Sequence, residues 1–169
     1  MRVIISPTKL MEPEEYIAAK QLPLLIEQSE QIAAHMRQLS WHDLHHYYRT
    51  NEQITSLNYE RWQQMNMKES LSPALFTYSG LQFQSMQPDI LTQDQWDYLE
   101  EHLRILSAFY GLLRPFDGIK PYRLDFVRTM PIDEAPNLYA YWGRRVYDAL
   151  DTEGPILNLA SKELSLIHI

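Results

Sequence analysis

The sequence predicts an α/β (α+β) fold: a single domain with a mixed sheet, helices packed around it, and an N-terminal helical hairpin among those helices. Three observations lead there. Short, mostly apolar or aromatic runs at residues 2–6, 74–78, 105–110 and 156–159 have the length and composition of strands. Longer stretches between them keep helical spacing behind capping residues. Neither a composition break nor a Ser/Gly-rich linker divides the 169 residues, which suffice for one sizeable core.

In chain order, Val3, Ile4 and Ile5 form an apolar run too continuous for a half-exposed edge strand. Pro7 breaks it and leaves Ser6, Thr8 and Lys9 at its end. A helix is predicted from Pro23, with Leu25, Ile32, Met36 and Leu39 on one face. Ser40 with Asp43 caps a second helix, and Thr50 with Gln53 caps a third running to about Met65. The 74–78 run reads as a strand, turned at once by Ser79 and Gly80. Thr92 with Gln95 opens another helix, with Trp96, Leu99 and Leu103 as its apolar stripe. Residues 137–150 read as one helix bearing Arg144 and Arg145 beside aromatics, and residues 156–159 as the last strand.

Residues 102–126, HLRILSAFYGLLRPFDGIKPYRLDF, are the most pointed stretch. An apolar strand is bounded by Gly111, and Pro115 and Pro121 then exclude both helix and regular strand. Phe116, Asp117 and Gly118 supply turn chemistry. A loop this stiff, carrying Arg114, Lys120 and Arg123 with Tyr110 and Tyr122 among them, has little entropy to lose when an anion docks.

That string closely resembles the signature of the bacterial YaaA family of peroxide-stress proteins. Four further segments agree in the same order: ISPTK at 5–9, FTYSGLQFQSM at 76–86, LYAYWG at 138–143 and LNLASKE at 157–163. Family members continue past the last of these through a lysine-rich C-terminal portion, whereas here LSLIHI follows. The expected organisation is therefore a YaaA-like domain over 1–163, incomplete at its C-terminus, with 164–169 as a candidate foreign tail. The resemblance implies a cytoplasmic DNA-binding protein that protects against hydrogen peroxide by limiting free iron and oxidative damage. Its expected partner is double-stranded or distorted DNA. The family's helix-hairpin-helix element falls on residues 44–57, which makes Arg49, Thr50 and Asn51 candidate phosphate contacts, although no glycine stands in that turn.

Composition narrows the chemistry. The absence of cysteine removes disulfides, thiolate metal sites and Cys nucleophiles. No segment approaches membrane-spanning length, and MRVIISP is far too short for a signal peptide. A net charge of −7 argues against coating nucleic acid, yet residues 103–145 hold seven basic side chains against four acidic ones. His42, His45 and His46 share helical spacing, but without a third ligand they read as an aqueous helix face, and neither a metal nor a cofactor is expected. There is no nucleophile elbow, P-loop or dinucleotide fingerprint, so binding without turnover is expected. The alternative is an enzyme acting on a phosphate- or nucleobase-containing small molecule in the same cleft.

The candidate site rests on a recurrence, since polar groups follow three of the apolar strands. In open α/β sheets, ligands bind at the carboxyl ends of the strands. If those strands run parallel, one cleft gathers Ser6, Thr8, Tyr110, Asp117, Tyr122, Asn158 and Ser161. Lys9, Arg114, Lys120 and Arg123 would then supply the phosphate contacts.

Overall fold

A computed structural model describes residues 1–128, 130–150, 154–162 and 164. Apart from Leu164, the expected tail at 164–169 lies outside the described residues.

The chain opens with strand β1 (Arg2–Ile5) and the two-residue β2 (Leu10–Met11). Three helices follow: α1 (Ile26–Gln38), α2 (Trp41–Tyr48) and α3 (Glu52–Gln63). The capping box at Ser40 and Asp43 forms as its spacing predicts. At α3 the cap is Asn51 rather than Thr50, its side chain accepting from Ile54 N at 2.8 Å. Arg49, between α2 and α3, takes a left-handed conformation with φ 49°. The turn thus forms where the sequence lacks the glycine that such a position favours.

Next come β3 (Ser72–Pro73), α4 (Ala74–Thr77), β4 (Tyr78–Ser79), α5 (Leu81–Met86) and α6 (Gln93–His102). Residues 74–77, expected as strand, wind into one helical turn. Thr77 Oγ1 donates back to Pro73 O at 2.7 Å and closes that turn, and an apolar run this short carries no period to separate helix from strand. Trp96 and Leu99 on α6 are only half-buried, whereas Leu103 is buried in the strand that follows.

The remaining elements are β5 (Leu103–Ser107), β6 (Gly111–Leu113), β7 (Gly118–Ile119), α7 (Leu138–Trp142), α8 (Arg145–Ala149) and β8 (Ile156–Asn158). The single helix expected over 137–150 is divided by Gly143, whose φ of +47° leaves the helical region.

The main sheet has strand order β6-β5-β1-β8. Strand β1 is parallel to both β5 and β8, while β6 runs antiparallel to β5, so the sheet is mixed. The β5–β6 hairpin corrects the expectation of an irregular loop after Tyr110. Ser107 pairs with Gly111 across a three-residue loop, and Gly111 takes φ +70°. Ile4, Ile105, Leu106, Leu112 and Leu113 are fully buried in this sheet, and Phe109 meets Trp62 of α3 edge-on with centroids 4.9 Å apart. Among the described residues, no helix is long and apolar enough to cross a membrane.

Candidate functional site

The carboxyl ends of β1, β5 and β8 open on one edge, as their parallel pairing requires. The cleft there encloses about 570 Å³, open mouth included, and is lined by Ser6, Thr8, Lys9, Tyr122, Arg123, Asp125 and Ser161 among others. Ser161 N donates to Ser6 Oγ at 2.7 Å and closes the side between β1 and β8. Thr8 Oγ1 donates to Leu10 O, and its methyl group leaves no room for a Cβ at Gly80, which would lie 2.8 Å away.

Below the cleft Tyr122 is held from two directions. Its hydroxyl lies 2.6 Å from Ser107 Oγ and 2.8 Å from the Tyr78 hydroxyl. Burial pushes this phenol up to about 12, against the lowering effect of both hydrogen bonds, so it stays neutral at physiological pH. Ser107 Oγ also accepts from the backbone of Phe109 and Tyr110, and Trp142 Nε1 donates to Ala108 O at 2.9 Å. The five segments ISPTK, FTYSG, RILSAFYG with its continuation, LYAYWG and LNLAS therefore meet around one edge of the sheet.

The expected convergence of every candidate does not occur, and the hairpin is the reason. Strand β6 carries the chain back alongside β5, with Leu113 opposite Ile105, so Arg114 emerges at the other end of the sheet. There its guanidinium Nε donates to Asp117 Oδ1 at 2.8 Å and Nη2 donates to Leu22 O. Removing one partner from a buried pair of this kind costs roughly 3–5 kcal/mol, so Arg114 is not released to a ligand. Asp117 is fully buried, and burial pushes its carboxyl up to about 6 despite the lowering contacts from Arg114. Tyr110 is also fully buried, its hydroxyl accepting from Lys120 N at 3.0 Å. Neither Asp117 nor Tyr110 lines the cleft, and neither does half-buried Lys120. Asn158 stands just outside, its side chain accepting from Ala160 N.

Two basic candidates do remain together. Lys9 Nζ lies 3.4 Å from Asp125 Oδ2, with the lysine side chain 67% exposed. With its ammonium this exposed and the contact as long as 3.4 Å, Lys9 gains only about 1 kcal/mol from the pair and is readily exchanged to another anion. Among the described residues, Arg123 has no carboxylate partner; its guanidinium lies 5.8 Å from the centroid of the Tyr48 ring. Arg123 Nε and Asp125 Oδ1 are buried without a hydrogen-bond partner among the described residues. Leaving such a group unmade costs about 1–3 kcal/mol.

The α2–α3 hairpin reaches this same surface, which the sequence did not reveal. Tyr48 OH donates to Arg123 O at 2.6 Å and accepts from Trp62 Nε1 at 2.7 Å. Tyr47 OH donates to Asp125 O at 3.3 Å. The last residues of α2 therefore pin the cleft's charged segment, and Arg49 follows them directly with an exposed side chain. Thr50 and Asn51 are engaged inside the hairpin, Thr50 Oγ1 with Thr55 Oγ1 and Asn51 as the helix cap. His45 is likewise taken up, stacked on Trp41 and bonded to Thr55 Oγ1. Among the described residues, no group of three or more His, Asp or Glu side chains is arranged to hold a metal.

Asp125, Tyr47 and Tyr48 are the site residues that the candidate set missed. The signal for Asp125 was its position two residues beyond Arg123 in a segment of alternating apolar character; the tyrosines act across a separation no local pattern spans.

A family model described as Peroxide stress protein YaaA matches residues 1–167. The chain is 42% identical over 165 residues to a UPF0246 protein of Pediococcus pentosaceus, covering 96% of this chain and 66% of that protein. It is 41% identical over 167 residues to UPF0246 protein DSY0297 of Desulfitobacterium hafniense, covering 98% and 66%. A UPF0246 protein of Lactobacillus delbrueckii subsp. bulgaricus is 41% identical over 169 residues, covering 98% and 67%. The chain thus spans about two thirds of the length of the curated relatives it matches. With one family matched along nearly its whole extent, the chain belongs to the peroxide stress protein YaaA family.

Proposed function

We propose that this chain carries the DNA-contacting surface of a cytoplasmic peroxide stress protein, one that limits free iron and so reduces oxidative damage to DNA and protein. The observation that carries the reading is the pairing of Arg123 with exposed Lys9 in one cleft, next to the α2–α3 turn and Arg49. Basic side chains without strong internal partners neutralise phosphates and release counterions, which yields salt-dependent and largely sequence-blind affinity. The local charge balance supports this: residues 103–145 are net basic in a chain of net charge −7.

A gel-shift titration of duplex DNA over a salt series tests it. Arg123→Ala is expected to weaken binding about tenfold, the effect of losing one charge-assisted contact to a phosphate. Affinity unchanged in that variant would remove the cleft from the DNA surface.

A second reading is favoured by the cleft's position at the ends of parallel strands and by the unpartnered Asp125 Oδ1. It makes the protein an enzyme acting on a phosphate- or nucleobase-containing small molecule, with Asp125 as acid or base. Turnover of such a compound, lost in Asp125→Asn, would support it.

A further inference from the structure

Helix α6 opens on a complete capping box yet buries none of its ten residues. An amphipathic helix in a folded domain ordinarily covers its apolar face. Trp96 ties this one to the body, packing on Phe76 and Phe116 and donating from Nε1 to Pro88 O at 2.9 Å. Beyond Trp96 the apolar side chains lie open: Tyr98 is 56% exposed and Leu99 half-buried. With Met86 and Leu91, which precede the helix, they form a shallow trough of about 490 Å³ whose remaining lining is Asp94 and Gln95. Ile90, 74% exposed, continues the apolar surface. None of the six lining residues belongs to the cleft. Apolar surface gathered this way and rimmed by polar groups marks an interaction site.

Charge decides what the trough accepts. Residues 69–103 carry six acidic side chains and no lysine or arginine. Some of these acids are already engaged: Asp97 accepts from Gln93 Nε2 and lies 4.0 Å from Lys20 Nζ, and Glu100 accepts from Gln21 Nε2 and Phe116 N. Asp94 in the lining and Asp89 ahead of it are exposed, with no ion-pair partner among the described residues. Such a rim repels phosphates, which disfavours both nucleic acid and an anionic lipid surface, and it attracts ammonium and guanidinium groups. The complement of an apolar trough with an acidic rim is a helix whose apolar stripe is flanked by lysine or arginine, seated through side chains three, four and seven apart. The anchors are set in advance: the Tyr98 ring packs on His102 with centroids 4.3 Å apart, and Gln95 Oε1 accepts from Thr92 N at 2.8 Å. Unbranched Met86 adapts to the shape presented.

We propose that the trough between residues 86–91 and α6 docks a basic amphipathic helix of a partner protein, its apolar stripe lying over Met86, Leu91, Tyr98 and Leu99 and a lysine or arginine of its flank meeting Asp94. The inference is independent of the DNA reading, because the two surfaces share no residue.

Fluorescence anisotropy on the whole chain tests the trough with three labelled peptides of equal length. One is a helix with leucines on one face and lysines on the other, the second replaces its lysines by glutamates, and the third scrambles the leucine–lysine sequence so that no apolar face forms. The first is expected to bind about tenfold tighter than either of the others. Tyr98→Ala should weaken that binding about tenfold and Asp94→Asn about threefold, the losses expected for an aromatic anchor and for one exposed charge at a rim. Leu57→Ala and Glu60→Gln, exposed changes of the same kinds on α3, should leave it unaltered. Circular dichroism melts confirm that each variant folds. Equal binding of the scrambled peptide, or equal loss in the α3 variants, reduces the effect to general attraction by an acidic chain and overturns the proposal. Undiminished binding in Tyr98→Ala also overturns it. So does a dimer in sedimentation equilibrium, or binding to phosphatidylglycerol vesicles, that Tyr98→Ala abolishes, since the trough would then serve a second copy or a membrane.

Discussion

Lys9, Arg114 and Arg123 are equivalent as letters, yet burial assigns them different work. Arg114 is tied to a fully buried carboxylate, exposed Lys9 only loosely to a half-buried one, and Arg123 to none among the described residues. The pairing at Arg114 has its own pH signature, because burial holds Asp117 at about 6 against an ordinary value of 3.8. Between those values the folded chain keeps a proton that the unfolded chain releases, so this group's contribution is full below about pH 3.8 and declines as pH rises through about 6. The loss amounts to about 3 kcal/mol at most. Urea melts between pH 4 and 7 are expected to show that decline, and Asp117→Asn to flatten it relative to the unaltered chain. Parallel slopes in the two proteins would remove Asp117 from the pH dependence. The pairing itself was legible only in part: Arg114 and Asp117 stand three apart in a turn, but burial of the acid at 0% exposure needs the surrounding core.

The elements that mattered most to the site are the two hairpins. The β5–β6 reversal depends on Gly111, where an added Cβ would fall 2.8 Å from the Trp142 ring and 2.9 Å from Leu25 Cδ1, at φ +70°. Gly111→Ala combines left-handed strain with overpacking and is expected to destabilise by about 2–5 kcal/mol, measurable by urea unfolding. The capped helices were readable because Ser40/Asp43 and Thr92/Gln95 interact over three residues, within one turn. The hairpin was missed because Gly111 reads equally as the end of a strand and as the left-handed residue that follows a three-residue loop and opens the returning strand. In the helical hairpin, Asn51→Ala removes the α3 cap and is expected to cost about 1 kcal/mol. Arg49→Gly relieves a left-handed non-glycine residue, so it should leave the fold intact or slightly firmer while weakening DNA binding. Thermal melts beside gel shifts separate those effects; unchanged DNA affinity in Arg49→Gly would take the turn out of the interface.

For the whole molecule, the expected DNA interaction is electrostatic and small in extent. With phosphate contacts at Lys9, Arg123 and Arg49, raising salt from 50 to 200 mM should reduce affinity about 40-fold, from a slope of roughly −0.9 per phosphate. A salt-independent affinity would place recognition outside these side chains. Family membership, the strands near 2–6, 105–110 and 156–159, the caps at Ser40 and Thr92 and the edge at which Ser6, Thr8 and Ser161 gather could be read from residue order. Each depends on near neighbours or on a motif string, and periodicity and capping act within a turn or two of chain. Which basic residues share the cleft could not be read that way. Arg114 lies only nine residues before Arg123, yet an antiparallel return sends it to the opposite end of the sheet, while Tyr48 arrives beside Arg123 from seventy-five residues away. Contacts between segments far apart in the chain are chosen by burial and sheet pairing, and those forces act only once the core has closed.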